Sequence, residues 1–177
     1  MSLESRREKL SKTGTQPIIG TQINFKFNDV FGTLPLIAKN QKGYETILKL
    51  SSDCYLKNDD NTPPHCIIKD LLNNNDGIIV FSGSINSLSG NLFLKNKLLD
   101  LAELYKLLKR NFDNDFYLEI QRHNDQNEIG FEKFNLKKSS DLEIPIIATN
   151  EVYYLDKEMH EAHDALICIG NKTYINE

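Results

Sequence analysis

No stretch of this chain approaches the ~18 consecutive apolar residues that a membrane span needs, so a transmembrane helix is excluded. The amino-terminus, Met1-Ser2-Leu3-Glu4-Ser5-Arg6-Arg7-Glu8-Lys9, is polar and mixed in charge, unlike a secretory signal. A basic excess is missing too. With 21 Lys and Arg against 25 Asp and Glu, the net charge is −4, so the domain is not built to grip phosphates over its whole surface. Cysteine is scarce: Cys54, Cys66 and Cys168 are widely spaced and form no C-x-x-C pair. That excludes a disulfide framework and suits a reducing cytoplasm. His65-Cys66 with Cys54 matches no standard zinc spacing. Internal repeats and long linkers are lacking as well. What remains is an ordinary globular composition, 40% hydrophobic and 26% charged over 177 residues, enough for one domain burying roughly 70% of its extended surface.

Hydrophobic patterning divides the chain into strands and helices. Residues 5–12 read as the last turns of a helix stopped at Gly14. Pro17-Ile18-Ile19-Gly20 is a short strand signal. Ile23, Phe25 and Phe27 then alternate with polar residues, and "NDVFG" before "TLPLIAKN" predicts a hairpin over 23–38. "KGYETILKLSS" predicts an amphipathic helix presenting Tyr44, Ile47 and Leu48, with Leu50 beside them. "KNDDNTPPH" is a loop, 67–72 a short helix, and "GIIVFSG" an apolar strand. In "LKNKLLDLAELYKLLKRNF", Leu94, Leu98, Leu101, Tyr105 and Leu108 recur with helical period, and Lys109-Arg110 favour the dipole at its end. "DFYLEIQRH" is a strand, "FEKFNLKKSSDLE" is helical in part, and Ile144-Pro145-Ile146-Ile147-Ala148 reads as a buried strand. A helix over 157–169, stopped at Gly170, closes the chain. Strands separated by helices predict a mainly parallel sheet.

In such folds ligands gather beyond the carboxyl ends of the strands. Those ends deliver Thr21-Gln22 after "PIIG", His123 after "FYLEIQ", and Glu151 and Tyr153 after "IPIIATN". By the period-two rule Glu119, Gln121 and His123 share one face, and Phe116, Leu118 and Ile120 the other. A polar face ending in histidine is what a metal-lined barrel mouth requires. "HEAHD" is not a zinc-protease motif, because His160 and His163 are three apart rather than four. "SGSINSLSG" lacks the lysine of a phosphate loop and reads as a strand-to-helix connection.

"QPIIGTQINF", "LPLIAKNQKGYETILKLSS", "DGIIVFSGSINSLSG", "FYLEIQRHN" and "IPIIATNEVYYLDKEMHEAHDALICIG" occur in one order. As an ordered set they resemble the polymerase-and-histidinol-phosphatase (PHP) domain of bacterial replicative DNA polymerase III alpha subunits, from about Gly14 to Gly170. The resemblance implies an α/β fold: a distorted seven-stranded (β/α) barrel, here partial and lacking its N-terminal strands. Residues 1–13 are then the end of a helix with leader residues before it, and 14–177 an incomplete PHP domain. Active family members resemble metal-dependent phosphoesterases, in which bound cations activate water and stabilise phosphoryl charge.

Carried over residue by residue, the family's ligand pattern is depleted. Its H-x-H segment is expected to lie upstream of this chain. Gln22 stands where the family has Glu, and Tyr153 where it has His; a phenol of pKa ~10 is a poor ligand at neutral pH. His123 matches, and Glu151 keeps a carboxylate where the family has Asp. Only His123 and Glu151 are residual metal ligands, fewer than the about three that a catalytic zinc takes from protein. The competing reading makes His123 a strand-end histidine bonded to Glu119 or Glu151, and Glu151 a solvated carboxylate. Gln22 and Tyr153 then bond to each other or to His123.

The resemblance therefore implies a cytoplasmic, degenerate-site segment with a structural or subunit-docking role in DNA replication. No catalytic residue and no cofactor are expected in it. The alternative is an active phosphoesterase or 3'-5' exonuclease carrying Zn or Mn. Implied partners are the remainder of the alpha subunit, whose nucleotidyltransferase chemistry lies elsewhere, and the proofreading exonuclease subunit. DNA is met only through the parent enzyme, and no membrane is involved. Unpaired strand edges predict an edge-mediated dimer.

Overall fold

The structure, a computed structural model, describes residues 12–58 and 61–175. The helix expected over 5–12 lies outside these residues except for Lys12. The alternating stretch forms β1 (Gly20–Phe27) and β2 (Val30–Ala38), an antiparallel hairpin in which Ile23 faces Leu34 and Phe27 faces Val30. Asn28 closes the turn with φ of 53°, a left-handed conformation that asparagine tolerates better than most residues. There follow α1 (Gln41–Leu56), β3 (Cys66–Ile67), α2 (Ile68–Leu72) and β4 (Ile78–Phe81). Next come α3 (Leu88–Leu94), α4 (Leu98–Phe112), β5 (Phe116–Ile120), α5 (Glu128–Leu142), β6 (Ile146–Ala148) and α6 (His160–Asn171).

The strands make one six-stranded sheet, ordered β3-β1-β2-β4-β5-β6. Three pairings are parallel (β1 with β3, β4 with β5, β5 with β6) and two antiparallel (β1 with β2, β2 with β4). The sheet is thus mixed, because the hairpin inserts β2 against the direction of the rest. Helices pack on one face. Ile23, Phe25, Leu34, Leu36, Ile78, Val80, Phe116 and Leu118 are buried there, with Leu50 of α1, Leu92 of α3 and Leu104 and Leu108 of α4. Gly32 permits the closest approach: a Cβ at this position would lie 2.4 Å from the Leu88 backbone.

Five local expectations need correction. The strand signal at 17–19 is not in the sheet ladder; β1 begins at Gly20, and Ile19 only accepts the Ala38 N–H at 2.9 Å. The long leucine-periodic helix is broken. Asn96 at φ 56° turns the chain between α3 and α4, so Leu94 and Leu98 are partly exposed while Leu104 is fully buried. On α1 the buried stripe is Ile47, Leu50 and Cys54, leaving Leu48 exposed. Finally, β6 is an edge strand among the described residues, paired with β5: Ile144 is buried, but Ile146 is 40% exposed. α6 continues one residue past Gly170, to Asn171, and buries none of its side chains. Among the described residues no helix is long and apolar enough to cross a membrane.

Candidate functional site

The sheet face opposite the helices carries the alternate residues of the same strands. Gln22 of β1, Pro35 of β2, Phe81 of β4 and Glu119 of β5 lie on it. Register explains the gathering: Gln22 pairs with Pro35, and Phe81 with Tyr117. With Gln121 and residues 149–153 after β6, they line a cleft of about 380 Å³. Beside it lies a second cleft of about 540 Å³, walled by Ser84, His123, Asp125 and Glu128 and sharing Gln121, Glu151 and Tyr153 with the first. All four positions singled out in the sequence therefore face one composite mouth: Gln22 in the first cleft, His123 in the second, Glu151 and Tyr153 in both.

Their bonding differs from expectation. The Tyr153 hydroxyl donates to Glu151 Oε2 at 2.5 Å, not to Gln22 or His123. That hydrogen bond, then partial burial and the charge of Glu151, holds the phenol above its usual pKa. The Tyr153 ring also lies 5.1 Å from the imidazole of His163 on α6, which places a residue of the "AHD" stretch beside the mouth. β5 ends at Ile120, so Gln121 and His123 both lie beyond the ladder, and both line the second cleft. The partner of His123 is Glu128, at the first turn of α5. Glu128 Oε2 accepts the backbone N–H of His123 at 2.8 Å and of Asp125 at 3.2 Å, and Oε1 lies 3.6 Å from His123 Nδ1. Next door, Arg122 forks onto Glu132 at 2.7 and 3.0 Å, holding that carboxyl below the usual range.

Glu119 is the residue whose environment the sequence concealed. It is only 5% exposed. Its Oε1 accepts from Gln121 Nε2 at 3.1 Å and from the Thr149 hydroxyl, whereas Oε2 is buried with no hydrogen-bond partner among the described residues. Its backbone N–H donates to Ser82 Oγ at 2.9 Å. Behind it, the fully buried Tyr105 hydroxyl donates to Asn135 Oδ1 at 2.8 Å, and Asn135 Nδ2 reaches the Glu119 carbonyl at 3.4 Å. This strut joins α4, α5 and β5 below the mouth. Burial pushes the Tyr105 phenol up strongly.

Away from the mouth, Cys54 and Cys66 are buried with their sulfurs 3.3 Å apart, while His65 bonds the Pro63 carbonyl and packs on Phe31. Desolvation pushes the Cys66 thiol up to about 12. Among the described residues, no group of three or more His, Cys, Asp and Glu side chains is placed to hold a metal ion.

The family model described as the PHP domain matches residues 2–123 of the chain. Proteins named DNA polymerase III subunit alpha are similar over nearly all of it. One from Rickettsia bellii is 38% identical over 161 residues, covering 90% of this chain and 14% of the relative. One from Rickettsia conorii is 35% identical over 169 residues, 93% of this chain and 14% of the relative. One from Borreliella burgdorferi is 34% identical over 174 residues, 92% and 15% respectively. The chain thus spans about one seventh of the length of these relatives.

Proposed function

Since this chain belongs to the PHP domain family, we propose that it is the PHP segment of a bacterial replicative DNA polymerase alpha subunit, acting in the cytoplasm as a scaffold whose metal site has decayed. In this reading residues 14–177 form the domain, and its six-stranded sheet is an arc of a distorted seven-stranded barrel. Support for one unit is the continuous core running from Ile23 in β1 to Ile144 before β6.

The observation that carries the decayed-site reading is the donor set at the mouth. Gln22 offers a neutral amide. Tyr153 offers a phenol whose proton is held more firmly than usual by Glu151, and a metal would need the phenolate. The Glu151 carboxylate is already engaged by that phenol, and His123 bonds Glu128 through its backbone N–H, with its imidazole 3.6 Å from the same carboxylate. Such a set does not fit a catalytic cluster, which needs about three donors converging on each ion. No hydrolytic step is therefore routed through a metal here.

The structural role rests on exposed apolar surface. Leu155 is 90% and Ile169 75% exposed, and α6 buries none of its side chains. Apolar surface of this kind marks a contact face. The proposed occupants are the remainder of the alpha subunit and the proofreading exonuclease subunit. The β3 and β6 edges, unpaired among the described residues, also favour an edge-mediated dimer of the isolated segment, which sedimentation at rising concentration would reveal.

Elemental analysis of the purified chain tests the site reading. The expected result is no stoichiometric zinc or manganese, and no metal-stimulated hydrolysis of a phosphodiester. Gln22→Glu with Tyr153→His should raise metal retention above that of the unmodified chain. Stoichiometric metal together with hydrolysis in the unmodified chain would establish the phosphoesterase alternative instead.

A further inference from the structure

We infer that Cys54 and Cys66 form a redox-sensitive latch, a dithiol that a small-molecule disulfide of the glutathione class converts to an intramolecular disulfide. The pair lies away from the mouth, and the inference is independent of the scaffold reading. Both thiols are free and buried, Cys54 5% and Cys66 3% exposed, with their sulfurs 3.3 Å apart. A buried cysteine ordinarily packs as a small apolar residue. Here a second thiol stands within reach, and the backbone of each is held in place. Cys54 lies in the last turn of α1 on its buried stripe, and Cys66 opens β3 opposite Phe25 of β1. Asn58 ties the two segments together: its Nδ2 donates to the Cys54 carbonyl at 2.7 Å and to the His65 carbonyl at 2.6 Å. Closure asks the sulfurs to approach by about 1.3 Å, to the bond length of about 2 Å.

The exchange runs in two steps. The Cys54 thiolate attacks one sulfur of the small disulfide, giving a mixed disulfide and one small thiol. The Cys66 thiolate then attacks the Cys54 sulfur and expels the second small thiol. Two protein thiols give up two electrons and two protons, and the small disulfide takes up both. Desolvation raises both thiols, but the hydrogen bond from Cys66 lowers Cys54 in part, while the same contact raises Cys66 further, to about 12. Cys54 is therefore the member that attacks first. Burial makes that step slow, because the oxidant meets Cys54 only on local opening. The pair thus stays reduced under reducing conditions and closes under sustained oxidation. Its closure matters for β3, which is tied to β1 by two residue pairs, Phe25 with Cys66 and Lys26 with Ile67. The disulfide adds a covalent tie from this edge strand to α1. Closing a loop of this size should raise the melting temperature by roughly 5–10 °C.

The test uses the 177-residue chain with Cys168→Ser, which removes the partly exposed third thiol. It is equilibrated with glutathione and glutathione disulfide over a range of ratios, once folded and once unfolded in urea. On closure the intact mass should fall by two hydrogens. Trypsin should then release the peptide ending at Lys57 joined to the peptide ending at Lys69, and a reductant should separate them. Because a bond that stabilises the fold is favoured by the fold, the folded chain should be half closed at a more reducing ratio than the unfolded chain, by about tenfold or more in [thiol]²/[disulfide]. Amide exchange at residues 66 and 67 should slow in the closed chain, and its melting temperature should rise as stated. Two free thiols at every ratio, two separate glutathione adducts, or closure no easier in the folded chain than in the unfolded one would each overturn the inference.

Discussion

Replacing Tyr105 with Phe removes one oxygen from the molecule and tests whether the strut beneath the mouth contributes to stability. Tyr105 is fully buried on α4, and its ring packs against Phe116 at 5.9 Å and Phe134 at 6.3 Å, contacts that phenylalanine keeps. What disappears is the 2.8 Å hydrogen bond to Asn135 Oδ1. Asn135 is itself fully buried, so its carbonyl oxygen is left without a donor in a place water does not reach. Stranding a buried neutral acceptor costs about 1–3 kcal/mol, more than the about 1 kcal/mol that an ordinary hydrogen bond contributes net. At about 2–4 °C per kcal/mol for a domain of this size, the melting temperature should fall by roughly 2–12 °C. Differential scanning calorimetry with urea unfolding in parallel reads both numbers, and an unchanged denaturant slope shows that compactness is preserved. Because Asn135 also reaches the Glu119 carbonyl, the amides of residues 119–121 should shift in the NMR spectrum of the variant. A melting point within a degree of the unmodified chain, with those amides unmoved, refutes the reasoning.

Other perturbations have equally definite outcomes. Gly43→Ala in α1 would put a methyl 1.8 Å from the Gly77 carbonyl oxygen; the urea midpoint should drop by the equivalent of about 1–3 kcal/mol for overpacking, or more if the 77 turn cannot yield. The Cys66 thiol, at about 12 against an ordinary 9.0, keeps its proton in the folded chain after the unfolded chain has lost it. Its contribution to stability is therefore complete below about pH 9 and is lost between pH 9 and 12, which alkaline unfolding curves of the chain and of Cys66→Ala would separate. At pH 8 a disulfide reagent should modify Cys168 first and reach Cys66 and Cys54 only with unfolding. Glu128→Ala should free the His123 and Asp125 amides, and their hydrogen exchange should quicken by roughly tenfold or more.

Much of this architecture is legible in the sequence because it is set by local periodicity. Ile23, Phe25 and Phe27 alternate cleanly and are buried in β1, and the Asn28-Asp29 turn follows directly. Other features depend on partners far along the chain. Leu94 and Leu98 fit the period of the helix that follows, yet one asparagine in the left-handed region separates two helices there, and composition alone does not announce it. The period-two rule brings Gln121 to the cleft of Glu119, and His123, also beyond the end of β5, lines the adjoining cleft that shares Gln121. Proximity of Gln22, His123, Glu151 and Tyr153 was anticipated through family resemblance. Spacing along the chain could not have supplied it, since it arises from sheet register across more than a hundred residues.

Glu119 shows why a strand face reads as a binding surface only when its partners are known. In sequence it is one more acidic residue in "FYLEIQRH", read as part of a polar face and as a hydrogen-bond partner for His123. In the fold, Thr149 arrives from β6 and Gln121 from the same strand to cover one oxygen, while the Asn135 strut fixes the backbone behind it. The carboxylate is thereby held in place and cannot swing out to water. Its second oxygen is buried and has no hydrogen-bond partner among the described residues, while the clefts above it are lined by Glu119, Asp125, Glu128 and Glu151 with His123. A phosphate-handling site would need that charge reversed by bound cations. Among the described residues no set of three or more ligating side chains is placed to hold such cations, so the negative sign of the mouth stands against a phosphoryl group.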